Sequence, residues 1–490
     1  MSGNGRLSPA QVHARIKHPV IDADGHWIEW APVFIEKIRK VGGDAVAEGF
    51  TRLGQQRNRA RRMPAAERSR RRIAQPNFWV RQAENTLDRA TAMMPRMLYD
   101  RLDEIGFNFA VVFPTFGLNL RVPGRELRLA VIRAYNTVVA EYFEKLGDRL
   151  TPAAVIPMHN PDEALAELEY VTSQLGTKVA LFDSLMPRPI SPAAARDPEL
   201  RRFAVRYDAL GIDSPHDYDP VWAKCVELGI PPTFHRPGIG QGFRMSPTNF
   251  AYNQIGQFAE AGHAIAKAIF LGGVTRRFPS LNFGFLEGGV GWAAQLFGDL
   301  IEVWEKRGAK GLERMDPSKL DRDLLMQMVE KYGYDDMAAA LRARDGYPSQ
   351  MGQDQTGQRT DLDDYAACKI ARKEDWIDLY AKPFYFGCEA DDRMIVTAFG
   401  KINPFGAQLN ALFGSDIGHF DVVDMRDPLP EAYELVEDGH ITEDNFRDFA
   451  FANAVRLWGT QNPRFFEGTA IAKEAAEVLN QAKAARAAAE

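Results

Sequence analysis

The stretch Ile21-Asp22-Ala23-Asp24-Gly25-His26 decides the reading of this chain. Val20 and Ile21 lead in as a short apolar run, and Gly25 breaks it. Residues two apart on a strand project to the same side. Asp22, Asp24 and His26 therefore share one face at the end of a buried strand. Carboxylate oxygen and imidazole nitrogen together suit Zn, Mn or Fe. Taken alone, the stretch reads equally well as a polar strand end with an incidental histidine. The rest of the chain has to decide.

Outward from it, apolar runs alternate with amphipathic ones. Phe107 to Phe113 reads as a strand stopped by Pro114, followed by a helix with Leu127, Val131, Val138 and Tyr142 near one face. Thr151 to Met158 is the next strand, ending at His159. Asn160-Pro161-Asp162-Glu163 then opens a helix, with an Asn cap, Pro in the first turn and Glu at the third position. Lys178 to Phe182, Pro232 to His235, Leu281 to Leu286, Pro383 to Phe386 and Asn410 to Phe413 continue the strands. Helices are expected at Pro220 to Leu228, at Ala261 to Leu271 and from Thr442. A strand–helix unit returning about eight times predicts a (β/α)8 TIM barrel. A doubly wound open sheet is the alternative. No GxGxxG follows any strand, and polar residues close several different strands, which favours the barrel.

Two stretches break the rhythm and are expected to be helical insertions: residues 36–100 and 303–380 of a single domain spanning 1–490. The first holds Arg52, Arg57, Arg59, Arg61, Arg62, Arg68, Arg70, Arg71 and Arg72, then Phe78-Trp79, which reads as a lid. The second contains a Gln/Gly-rich loop around Gly352 to Gly357. Both are expected to cover the barrel mouth or a dimer contact. The tail, 469–490, reads as a surface helix. Net charge is −6, so the Arg-rich stretch stands as a solvated insertion and not as a nucleic-acid patch. Cys225, Cys368 and Cys388 have no CxxC spacing and fit a reducing cytoplasm. No apolar run approaches the length of a membrane span, and no signal-like run opens the chain. The expected partners are a small-molecule substrate and a second copy of the chain, with no nucleic acid and no membrane.

Four strand ends carry donors. The first holds Asp24 and His26. The second is Thr233-Phe234-His235-Arg236-Pro237-Gly238. The third is Phe283-Gly284-Phe285-Leu286-Glu287-Gly288-Gly289, and the fourth is Leu412-Phe413-Gly414-Ser415-Asp416-Ile417-Gly418-His419-Phe420-Asp421. Each alone is unremarkable: a strand-end histidine is usually structural and a strand-end aspartate often caps a helix. Four at the C-terminal ends of one barrel predict a shared metal site of Asp24, His26, His235, Glu287 and Asp416. His159 and Arg236, at strand ends facing the same mouth, are candidates for substrate contact.

At these residues the chain resembles the amidohydrolase superfamily. Within it, the chain is similar to the amidohydrolase-related branch that includes aminocarboxymuconate-semialdehyde decarboxylase and the resorcylate decarboxylases. The resemblance rests on Asp24-x-His26, His235, Glu287 before Gly288-Gly289, and Gly414-Ser415-Asp416. Connecting text agrees: Ala140-Glu141-Tyr142-Phe143, Pro157-Met158-His159-Asn160-Pro161 and Asn453-Ala454-Val455-Arg456-Leu457. It covers roughly 20–38, 100–300 and 383–460. The resemblance implies metal ligation by Asp24, His26, His235 and Asp416, with Asp416 also moving a proton. It makes Asp22 a supporting residue behind the ligands, with ligation by Asp22 itself as the alternative. The chain departs from the family pattern at Glu287, where many members carry histidine. Lys178 begins its strand, on the wrong end for a bridging carbamate.

The implied chemistry is metal-dependent hydrolysis or decarboxylation of a small carboxylate- or carbonyl-containing substrate, with one or two ions of Zn, Mn or Fe. Asp416 and His159 are the expected catalytic groups, and Arg236 and His159 the substrate contacts. His419 is a further ligand or a partner of one. Two alternatives stand beside this: a non-haem (di)iron monooxygenase on the same scaffold, and a non-catalytic barrel keeping its ligands for structure.

Overall fold

Segments of three to seven residues form eight parallel strands in the computed structural model, which describes residues 6–76, 84–197, 200–236, 238, 242–344 and 362–489. The strands are β1 (Ile21–Trp27), β2 (Phe109–Pro114), β3 (Leu150–Ile156), β4 (Val179–Phe182), β5 (Pro232–Phe234), β6 (Phe283–Phe285), β7 (Phe384–Glu389) and β8 (Asn410–Gly414). They pair in sequence order, each hydrogen-bonded to the next. The ring is closed just beyond the last ladder. Asp416 N donates to Asp24 O at 3.1 Å, and His26 N donates to Ile417 O at 2.9 Å. This is the expected TIM barrel, with helices between successive strands. The open-sheet alternative falls.

Side-chain amides fasten the helices to this ring. Asn136, on the helix Arg125–Phe143, donates to Val155 O at 2.9 Å and accepts from Val155 N at 2.8 Å. Asn453 donates to Ala411 O at 2.9 Å. Each satisfies backbone polar groups that burial would otherwise strand. Asn160 caps Pro161–Ser173 as read from the sequence, accepting from Glu163 N at 3.0 Å. The apolar filling is aromatic: Phe182, Phe234, Phe285, Phe384 and Phe386 are buried and meet in a chain of ring contacts. Each buried ring contributes about 1.5–3 kcal/mol of hydrophobic stabilisation.

The stretch 36–100 is helical where described: Ala31–Gly42, Asp44–Arg62, Ala65–Arg71, Thr86–Met93 and Pro95–Ile105. The last of these leads directly into β2 and keeps the barrel's own rhythm. Phe78-Trp79 and the loop around Gly352 to Gly357 lie outside the described residues. The Arg-rich segment is tied to the loop after β5: Arg68 Nε donates to Pro247 O at 2.8 Å and Gln75 N to Ser246 O at 2.7 Å. A short antiparallel pair, Met186–Pro189 with Val205–Asp208, interrupts the connection between β4 and β5. The tail forms a helix, Ala472–Ala489, whose inner face buries Ala475 and Val478.

Candidate metal centre

Five predicted donors converge at the mouth. β1 delivers Asp24 and His26, both buried, across a register shift between Asp22 and Gly25. His235 follows β5 and is fully buried. Its Nε2 lies 3.1 Å from His26 Nε2, 2.9 Å from Asp24 Oδ1 and 3.3 Å from Glu287 Oε2. His26 Nε2 lies 3.6 Å from Asp24 Oδ1 and 3.4 Å from Asp416 Oδ1. Donors held about 2.0–2.2 Å from one ion at right or tetrahedral angles stand about 2.9–3.6 Å apart. The spacing fits a single cation.

The hydrogen bonding fits it too. Asp24 Oδ1 and Glu287 Oε2 are buried with no hydrogen-bond partner. Asp24 Oδ1 is within 2.9 Å of His235 Nε2 and still makes no bond to it. The atoms point at a common centre and not at each other. Desertion on this scale is costly unless a cation compensates it.

Glu287 and Asp416 take left-handed backbone conformations, with φ of 57° and 50°. Few non-glycine residues do so, and such residues cluster at functional sites. Each comes just after its strand and turns its carboxylate inward.

Electrostatics follow from crowding. Burial, then Glu389, Asp24 and Asp421, push Glu287 well above the usual carboxylate range. Burial, then Glu287 and Asp421, do the same to Asp416. Burial, then His419 and His235, hold His26 well below the normal imidazole value. Glu389, the last residue of β7, is pushed up to about 8 by burial and by Asp421 and Asp391. A divalent cation would reverse the upward shifts of these carboxyls and reinforce the downward shift of His26.

His419 sits beside this centre. Its Nδ1 is 2.5 Å from Asp416 Oδ1, its Nε2 is 3.2 Å from Thr115 Oγ1, and its ring stacks on His26 at 4.0 Å. A 2.5 Å separation is a hydrogen bond and is too close for two donors on one ion. Asp22 lies underneath, accepting from Ser415 N at 3.0 Å, Ser415 Oγ at 2.6 Å and Asp24 N at 3.1 Å. Lys178 is at the other end of β4, its Nζ bonded to Phe465 O.

His159 and Arg236 line a small cavity together with His235, Asp183 and Leu120. Arg236 is buried and paired with Asp183, and Arg121 Nη2 approaches the same carboxylate at 3.5 Å. Burial works against the ionised Asp183, yet Arg236 and Arg121 outweigh it and hold the carboxyl down at about 2. Two guanidiniums face one carboxylate, leaving Arg236 Nε and Arg121 Nε buried without hydrogen-bond partners.

Sequence reasoning missed Asp183, Glu389 and the part played by Asp421. Glu389 carried a usable signal: it closes an apolar strand, as Glu287 does.

Residues 21–315, more than half of the chain, match the sequence profile of the amidohydrolase family. The chain belongs to that family. Solved structures that it resembles include an amidohydrolase from Mycobacterium avium subsp. paratuberculosis K-10, at 16% identity. That match covers 91% of this chain and 98% of the other, with a TM-score of 0.49. Another is 5-carboxyvanillate decarboxylase from Sphingomonas paucimobilis, at 14% identity, 90% and 99% coverage and a TM-score of 0.48. A third is dihydroxybenzoic acid decarboxylase from Polaromonas sp. JS666 with bound manganese and 2-nitroresorcinol. Its values are 14%, 92%, 100% and 0.47. A comparison with curated proteins finds no match. Among the described residues no helix is long and apolar enough to cross a membrane.

Proposed function

We propose that this amidohydrolase binds a divalent cation through Asp24, His26, His235, Glu287 and Asp416 and acts on a small organic carboxylate by hydrolysis or decarboxylation. The observation that supports this is the set of donor separations of 2.9–3.6 Å drawn from four strand ends. When bound, such an ion supplies Lewis acidity and water of lowered pKa.

The chain's own groups then divide the work. Arg236 offers its unpartnered Nε–H to a carboxylate beside His235, with Arg121 behind it on the same Asp183. His159, held neutral at about 4 by burial and by Arg128, contributes a hydrogen bond on the same wall. Asp416 accepts or returns the proton at its carboxylate, and His419 anchors that carboxylate through Oδ1. The three buried free cysteines agree with a reducing cytoplasm as the place of action.

The donor set holds three carboxylates and two imidazoles, which is harder than a typical zinc site and favours Mn or Fe. With iron, an oxygenase is the second reading. Metal analysis of protein purified without added metal tests both, followed by assay with Mn against 5-carboxyvanillate and dihydroxybenzoates. One ion per chain with carbon dioxide or hydrolysis product released is the expected result. Two Fe per chain with oxygen uptake favours the oxygenase. No bound metal refutes the proposal.

A further inference from the structure

The mouth has a second wall of opposite character. On the β6–β8 side a cleft of about 360 Å³ is lined by Gln257, Glu287, Glu389, Asp392 and Asp421. None of its described lining residues is Lys or Arg. We propose that this cleft receives a positively charged organic group, an ammonium or a guanidinium, carried by the substrate whose carboxylate meets Arg236. The inference rests on the metal-site reading above and names the other end of the same substrate.

Several observations carry it beyond a cluster of acids. Gln257 is 7% exposed, and its Oε1 is buried without a hydrogen-bond partner at the cleft wall. A buried amide oxygen left unsatisfied is costly unless a donor arrives. Asp392 accepts from Met394 N through Oδ1, and its Oδ2 stands 2.5 Å from where a Cβ on Gly289 would be. Gly289, at φ 72°, gives that carboxylate its room. The charged side chains of this wall are thus all acidic, where the Arg236 wall carries a guanidinium.

Two competing occupants fit less well. A second metal ion needs donors packed as tightly as those of the first site. Among the described residues, no three donor side chains with ligating atoms within 4.8 Å of one another include Glu389, Asp392 or Asp421. That spacing suits a larger, hydrogen-bonding cation. An anionic group would find the start of the helix Gln257–Leu271, whose dipole is worth about half a positive charge. Three carboxylates outweigh it. Arg244, beside Gly256 at the rim, is committed to Glu260 at 2.5 Å and to the Asn253 and Ile255 carbonyls.

Calorimetric titration of the Mn-loaded protein with pentylamine, valerate and 5-aminovalerate tests this. Pentylamine reports on the cleft, valerate on the Arg236 wall, and 5-aminovalerate on both. Expected is measurable binding of pentylamine that weakens roughly tenfold or more in Glu389→Gln/Asp421→Asn, as loss of a charge-assisted contact implies. The single variant Glu389→Gln serves if the double variant melts early. Absence of pentylamine binding, or binding unchanged in the variants, overturns the inference. Failure of valerate alone counts against the carboxylate reading and leaves the cleft standing.

Discussion

Ser415 holds Asp22 by both its hydroxyl, at 2.6 Å, and its backbone N–H, at 3.0 Å, so the residue before one candidate ligand grips the residue two before another. Asp22 needs that grip. Burial pushes it up to about 7 even with these bonds in place. The pair fixes the end of β8 against β1 directly beneath the proposed ion.

Ser415→Ala is therefore expected to cost about 1–3 kcal/mol of stability, because a buried acid loses its shortest donor. Metal affinity should fall about 10–100-fold, as it does when partners behind ligands are removed. Denaturant titration with and without metal measures both. Unchanged metal affinity would separate this pair from the site.

Gly25→Ala places a Cβ 2.5 Å from Asp22 Oδ2. The expected loss is about 1–3 kcal/mol from overpacking, with metal retention falling alongside. Gly54→Ala is the control: nothing lies within 4 Å, and helix propensity predicts a gain of up to about 1 kcal/mol. Equal melting temperatures for the two variants would contradict the steric account.

His235→Ala removes the donor closest to Asp24 and should empty the site while leaving the barrel folded, since barrel mouths carry chemistry and barrel bottoms carry stability. Elemental analysis and circular dichroism on one preparation check it. Full metal content would take His235 out of the ligand set.

Glu287→His should move metal preference towards Zn, and Glu287→Gln should weaken retention, because the first exchanges a hard donor for imidazole and the second discards its charge. Neither variant relieves the left-handed backbone. Identical metal content and identity in both would show that Glu287 is no ligand.

His159 gives a pH signature. Burial and Arg128 depress its folded-state value to about 4, against about 6.5 when unfolded. The unfolded chain binds the extra proton between these values, so this contribution is complete above pH 6.5 and is lost as pH falls towards 4. Its size is at most about 3–4 kcal/mol. Relative to His159→Gln, the native protein should lose stability between pH 7 and 4.5. Parallel pH dependences for the two proteins would refute the assignment.

The barrel was legible because most strands are short apolar runs bounded by turn residues, and the five candidate donors stood out because each ends or follows a strand. Glu389 escaped because Gly387 reads as a strand stop, whereas β7 continues through it to Glu389. The left-handed conformations of Glu287 and Asp416 leave no mark in composition, since neither is glycine. Asp183 was invisible for a different reason: its meaning depends on Arg121 and Arg236, which only folding brings to it.

The grip of Ser415 on Asp22 spans 393 residues of chain. A ribosome therefore releases the first two candidate ligands long before the last one exists. The centre has no precursor in a chain that stops short of Asp416, and closure of so long a loop comes late in folding. Metal uptake by the growing polypeptide thus measures something besides chemistry: it reports that the two ends of the ring have met.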